Sequence, residues 1–508
     1  MCERMGGRGT ETYAKVLNAT SRLWMRQLCM EETLKWGIVF GYPTRLEATY
    51  CRQQRLRVKE FSFRKPPHED FSKLQENHQH TYLLESVEGP RKLANFSFIG
   101  FDPQIIITNK NGKTTIANET TGEEIVEETP DPLETLRRLV GEASTSCDQF
   151  RLSGGVVGYI SYDAIRYWES LPEIADDDLK LPDIEMGVFN DGIIFDHRVK
   201  KAYYYFFDED RSDQLESEVR RPLVEHEDLR YTAPKPNVAK EDFESSVLRA
   251  KEYVFNGDIF QVVLSKRYDF RIEGALVDFY RILRRINPSP YMYFLKMGER
   301  QIIGSSPEML VRVEKGAVET YPIAGTRPRV ADTRRNKALA SELLADPKER
   351  AEHIMLVDLA RNDIGRISEY GSVEVPEFMT VHRYSHVQHI VSRVSGRLSP
   401  RHDSLDALRA MFPAGTVSGA PKVRAMEIIE ELEPSRRGPY AGTVGYFSYN
   451  GSADFAITIR TLVVDRDKAS IQVGAGIVAD SDPEREWFET EHKAEALMRS
   501  LSRAGEEI

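Results

Sequence analysis

The chain has 508 residues, 41% of them hydrophobic and 10% aromatic, and a net charge of −11 at pH 7. That length allows roughly two to four domains with a sizeable core, and the acidic balance argues against a nucleic-acid surface as the main business. The four cysteines, Cys2, Cys29, Cys51 and Cys147, have neither metal-ligand spacing nor a disulfide framework, which suits a reducing, cytoplasmic setting. No apolar run approaches the ~18 residues of a membrane span, and no stretch is laid out as a secretory signal.

Residues 1–56 hold three of the four cysteines and are basic within an acidic chain. Glu31, Glu32 and the lack of a serine-rich composition count against an organellar leader, so this region reads as a poorly ordered extension or a start assigned too far upstream. From 57 to 238 strands and turns dominate: strands at 81–86, 95–100, 105–108, 154–162 and 202–207, a helix at 132–140, and a hairpin signal at Asn109–Lys113 written Asn-Lys-Asn-Gly-Lys. Charge is dense over 209–239, and Pro234-Lys235-Pro236-Asn237 breaks regular structure, which sets a boundary near 238. Beyond it the spacing predicts helices at 240–256, 276–285, 335–345, 348–361, 405–411, 422–431 and 484–500. Strands are predicted at 260–268, 291–296, from 301, and at 440–449, 453–464 and 470–478. Runs of strands and runs of helices without strict alternation favour an α+β fold, with the C-terminal strands antiparallel across short turns.

One stretch organises the rest. Residues 348–363 are rich in Ala, Leu, Met, Glu, Lys and Arg, all helix formers, and Pro347 suits a helix start. Glu349 and Glu352 are three apart and share a face; Glu486 and Glu489 repeat the spacing on the last predicted helix. Such pairs are usually solvated surface. If the two helices face each other, however, four carboxylates converge and need a cation, for which oxygen-seeking Mg²⁺ is the default. The loop 413–422 is small-residued and opens a helix, so its amides, with Thr416, could favour an anion; a structural turn is an equal reading. Gly474-Ala475-Gly476 could cradle a carboxylate on backbone amides. Arg460 could pair with one in bidentate fashion, and Tyr440 and His389 could hydrogen-bond a substrate. Asp358–Asp363, by contrast, reads as capping and pairing at a helix end.

Taken together, these residues resemble the chorismate-utilising enzymes, most closely the anthranilate synthase large subunits, over 61–501 and most densely after 240. The carrying segments include Leu83-Leu84-Glu85-Ser86, Phe260-Gln261-Val262-Val263, Ser306-Pro307-Glu308 and Pro322-Ile323-Ala324-Gly325-Thr326-Arg327-Pro328, with 287–292, 348–363, 413–422 and 474–493. The resemblance implies antiparallel sheets forming a two-layered β core with helices packed outside. It also implies a regulatory, tryptophan-binding region at 57–238 and a chorismate-binding catalytic domain at 239–508. Glu349, Glu352, Glu486 and Glu489 would form the Mg²⁺ shell holding the ring carboxylate. Tyr440, Arg460 and the Gly474, Ala475 and Gly476 backbone would hold the enolpyruvyl carboxylate, with Lys493 beside them, and Gly325, Thr326 and Thr416 would line the ring. Glu308 matches the acid that protonates the departing C4 hydroxyl, which requires a raised pKa, and His389 a residue assisting pyruvate elimination.

Two positions discriminate within the family. The resemblance puts a lysine at position 261 in the water-adding isochorismate and salicylate synthases; here Gln261 cannot act as a base for water, which favours an amine nucleophile. Aminodeoxychorismate synthases resemble one another in a lysine where this chain has Ala324, so ammonia would attack directly. No cysteine lies in a glutaminase-like context, which implies a glutamine amidotransferase small subunit as partner. Glu85, Ser86, Lys92, Pro290, Tyr291 and Met292 resemble a tryptophan feedback site. Three readings follow: a Mg²⁺-dependent anthranilate synthase large subunit inhibited by tryptophan, an aminodeoxychorismate synthase large subunit, and a catalytically silent regulatory subunit.

Overall fold

Short polar turns join strands that are neighbours in sequence, and the pairing is accordingly antiparallel almost throughout. In the computed structural model, described over residues 56–61, 66–87, 95–141, 149–222, 227–384 and 387–508, two large sheets form. The expected extension at 1–56 lies outside the described residues apart from Leu56, and so does Lys92.

Among the described residues the first sheet has 14 strands. Its middle runs His80–Glu85, Tyr291–Met297, Arg300–Ser306, Thr461–Asp465, Lys468–Ile477 and Gln261–Glu273, each antiparallel to the next. The second sheet has 12 strands and is centred on Met309–Glu314, Ala453–Ile457, Thr443–Ser448 and Gly155–Ile160. Strands from before and after residue 238 thus pair within both sheets. The sheets meet face to face through Tyr82 edge-on to Phe189 and Phe98 to Tyr446, and Arg300 of one sheet grips Glu185 of the other with two hydrogen bonds, at 2.7 and 3.0 Å. This is the expected α+β architecture with its β core.

The hairpin at Asn111-Gly112 forms as the sequence predicts: both residues have positive φ, 50° and 77°, and Lys110 pairs with Lys113, the geometry a two-residue turn demands. The C-terminal helix is longer than its pattern, Pro483–Ala504. One strand expectation is corrected. Residues 453–464 are not one strand but two, Ala453–Ile457 in the second sheet and Thr461–Asp465 in the first. The chain crosses between sheets at 458–460, where Arg460 takes φ +52°; apolar residues at most alternate positions hid the crossing.

The two acidic helices approach the β core from different places. Pro347–Gly365 packs on Ile323–Pro328 and Val387–Arg397, and Pro483–Ala504 packs on Lys468–Ile477 and on the helix Val277–Ile286. Pro347 fills the first helical position, and the Asp346 side chain caps the backbone amides of Lys348 and Glu349 at 3.0 and 3.3 Å, satisfying donors the helix cannot.

Candidate active site

A single cavity of about 640 Å³ gathers residues from 261 to 493. Of the predicted site residues it is lined by Gln261, Glu308, Gly325, Thr326, Glu349, Glu352, His389, Thr416, Tyr440, Arg460, Gly474, Gly476, Glu486, Glu489 and Lys493. Ala475 is the exception: strand alternation turns its side chain into the apolar core.

The strand pairing explains the convergence. Val263 lies opposite Gly476 and Ser265 opposite Gly474, which brings Gln261 and the glycine segment onto one wall. A Cβ on Gly476 would stand 2.5 Å from Gln261 Nε2, so only glycine lets that amide lie there. Lys493 Nζ donates to the Gly474 carbonyl at 2.8 Å and pairs with Glu489 at 2.8 Å, tying the helix to the wall. On the facing side, Gly325 has φ +66°, and a Cβ there would come within 2.8 Å of Glu349 Oε2. Glycine admits both the left-handed backbone and the carboxylate.

Two of the four carboxylates, Glu352 and Glu486, are raised by their acidic neighbours, and one of those effects crosses the cavity. Burial raises the Glu352 pKa, and Glu349 on its own helix and Glu489 on the other raise it further. Burial likewise raises that of Glu486; Glu489 adds to the rise while a hydrogen bond from Ser481 opposes it. The predicted facing of the two helices is therefore realised.

Glu308 is buried in the same cavity, and burial pushes its pKa up to about 8, with Thr416 and Lys493 pulling the other way. A carboxyl group so placed keeps its proton at neutral pH. His389 donates through Nδ1 to the Gly325 carbonyl at 2.8 Å when that nitrogen carries the proton, which leaves the other ring nitrogen as an acceptor. Burial, with Arg460 adding, lowers its pKa and keeps it neutral. Arg460 carries no side-chain ion pair among the described residues, and burial draws its pKa below the usual arginine value. A cation on a cavity wall without an acidic partner is an open place for an anion.

A family model described as chorismate binding enzyme matches residues 79–499. The chain belongs to the chorismate-binding enzymes. It is 48% identical to anthranilate synthase component 1 of Methanothermobacter marburgensis over 459 residues, covering 90% of this chain and 96% of that one. It is 41% identical to aminodeoxychorismate synthase component 1 of Bacillus subtilis over 471 residues, covering 90% and 99%. The crystal structure of anthranilate synthase component I from Streptococcus pneumoniae TIGR4 superposes with a TM-score of 0.73 at 41% identity, covering 81% of this chain and 94% of that one.

Within this chorismate-binding enzyme, Lys348, Gln472 and His492 also line the cavity and were not picked out from the sequence. Lys348 adjoins the singled-out Glu349 and His492 adjoins the singled-out Lys493, a usable signal in each case; Gln472 has none. Ala324 lines the cavity as well. Among the described residues no three carboxylate, imidazole or thiolate groups close on one point as a ready-made metal cage. The donor set nevertheless fits Mg²⁺: it offers only oxygen, its carboxylates repel one another, and Mg²⁺ keeps several waters and takes one or two carboxylates rather than a full protein shell.

A second cavity of about 40 Å³ lies between the sheets, lined by Glu85, Ser86, Tyr291 and Met292 among others. Met292 pairs opposite Glu85, and the Ser86 hydroxyl donates to the Pro290 carbonyl at 2.8 Å, so five of the six residues expected to hold tryptophan are neighbours. The Glu85 carboxylate is already engaged by Arg284, at 2.8 and 2.9 Å, and by the Tyr280 hydroxyl at 2.9 Å.

Proposed function

We propose that this enzyme converts chorismate and ammonia to anthranilate, pyruvate and water, with the ammonia drawn from glutamine by a separate amidotransferase subunit. One arrangement carries this conclusion: a protonated, buried Glu308 shares a cavity with the unpaired Arg460 and with two facing acidic helices. A substrate with two carboxylates and a poor leaving group needs all three.

Glu349, Glu352, Glu486 and Glu489 would hold Mg²⁺, directly or through water, and the ion when bound neutralises the ring carboxylate. Arg460, Tyr440 and the Gly474–Gly476 backbone hold the enolpyruvyl carboxylate, which fixes the ring pose. Gln261, whose buried Oε1 has no hydrogen-bond partner among the described residues, accepts a hydrogen bond from ammonia as it adds at C2. Glu308 gives its proton to the C4 hydroxyl, which leaves as water. Neutral His389 then takes the C2 proton as the C3–O bond breaks, leaving the aromatic ring, and the enolpyruvate that departs takes up a proton at its methylene carbon to become pyruvate. With no amine at Ala324, the chain itself offers no covalent nucleophile there.

Purified protein given chorismate, Mg²⁺ and ammonium is expected to form fluorescent ortho-aminobenzoate, with glutamine supporting the reaction only when an amidotransferase subunit is added. Accumulation of aminodeoxychorismate, which becomes para-aminobenzoate only after a lyase acts, would favour the second reading, which the Bacillus subtilis relative keeps in view.

Tryptophan is the proposed feedback inhibitor at Glu85, Ser86, Pro290, Tyr291 and Met292, its ammonium sharing the Glu85 carboxylate with Arg284. Because a hydrogen bond to a charged group contributes about 1.5–3 kcal/mol, Glu85→Gln is expected to raise the tryptophan concentration for half-inhibition by roughly 10–100-fold. An unchanged inhibition curve would remove Glu85 from that role. No described helix is long and apolar enough to cross a membrane, and the cysteine usage supports a cytosolic enzyme.

A further inference from the structure

Arg327 belongs to the 322–328 segment but has no part in the chemistry above. Its guanidinium makes four contacts. Nη1 donates to Glu349 Oε1 at 3.1 Å and to the Thr326 carbonyl at 3.0 Å, Nη2 to Asp346 Oδ2 at 3.1 Å, and Nε to Glu342 Oε1 at 3.2 Å. Asp346 is the residue that caps the first acidic helix. One planar fork therefore ties the ring-lining strand to the start of that helix and to its first cavity carboxylate, a geometry that lysine cannot reproduce.

The remaining oxygen of Glu349, Oε2, faces the space that a side chain at Gly325 would occupy. With Oε1 held by Arg327, the carboxylate is oriented before any ion arrives. Removing a partner that orients a metal-binding side chain typically costs about 10–100-fold in metal affinity.

We propose that Arg327 is a positioning residue for the divalent cation: it acts through Glu349 and sets how tightly Mg²⁺ is held. This rests on the metal reading above. An arginine that merely stood in for the ion would do the opposite, since its removal would tighten Mg²⁺ binding.

The test is a calorimetric titration of the full-length protein with Mg²⁺ alone, without chorismate. Arg327→Gln is expected to weaken Mg²⁺ by roughly 10–100-fold. Arg327→Lys, which keeps the charge and loses the fork, should fall between the two and decides the matter if the glutamine variant does not fold. In a Glu349→Gln background, Arg327→Gln should cost nothing further, a coupling that a general structural role would not produce. Unchanged or tighter Mg²⁺ binding in the arginine variants, or fully additive losses in the double variant, would overturn the proposal. A wild-type protein that binds no Mg²⁺ would instead overturn the metal reading and this inference with it.

Discussion

Replacing Glu308 by Gln is expected to lower kcat by about 10²–10⁴-fold, the usual worth of a positioned acid, and to abolish the alkaline limb of the pH profile. The glutamine side chain keeps the size and the hydrogen-bonding reach of the acid but has no proton to donate at neutral pH. In the wild-type enzyme the acid works only while protonated, and burial holds its pKa at about 8. Activity should therefore be full well below that value and fall tenfold per pH unit above it. Anthranilate formation from ammonium, followed by fluorescence from pH 6 to 10 with the ammonia concentration held constant, measures both. A glutamine variant that retains substantial turnover, or the same alkaline limb, would remove Glu308 from the chemistry. Retained turnover would also revive the possibility of a catalytically silent subunit.

Chelation of divalent cations should reduce turnover by at least about 10³-fold. A bound ion that neutralises an oxyanion contributes several kcal/mol, and each 1.36 kcal/mol is tenfold in rate. Without the ion, chorismate would meet a wall of acidic groups on which burial and neighbouring carboxylates already raise the pKa of Glu352 and Glu486. Added Mg²⁺ should restore the rate along a saturable curve. Glu352→Gln and Glu486→Gln should shift that curve to higher Mg²⁺, because each removes one anionic donor. Full activity in exhaustively chelated protein would sink the metal-dependent reading.

Much of the site was legible in the chain alone because its residues carry local signatures. The Glu pairs three apart, the Gly474-Ala475-Gly476 segment and the helix-opening loop at 413–422 are patterns of a few residues, and fifteen of the sixteen residues expected to bind substrate or metal or to catalyse line the cavity. Ala475, the middle residue of three in a strand, turns its side chain into the apolar core, so it offers the site only its backbone. The crossover at 458–460 was missed for a related reason. Residues 453–464 keep apolar residues at most alternate positions, and nothing in that pattern says that one half pairs with Met309–Glu314 and the other with Arg300–Ser306.

By itself, then, the sequence determined the family, the α+β class and the helices that bear the carboxylates, and it pointed to Glu308 as the candidate acid. The tertiary structure alone decided that Glu308 is buried enough to hold its proton, that Arg460 reaches the cavity from a left-handed residue between two sheets, and that Arg327 grips Glu349. Local spacing reports which side of an element a residue faces. Burial, charge pairing and the approach of one backbone to another depend on the register between strands far apart in the chain, such as Val263 against Gly476, and those distances arise only when the sheets close.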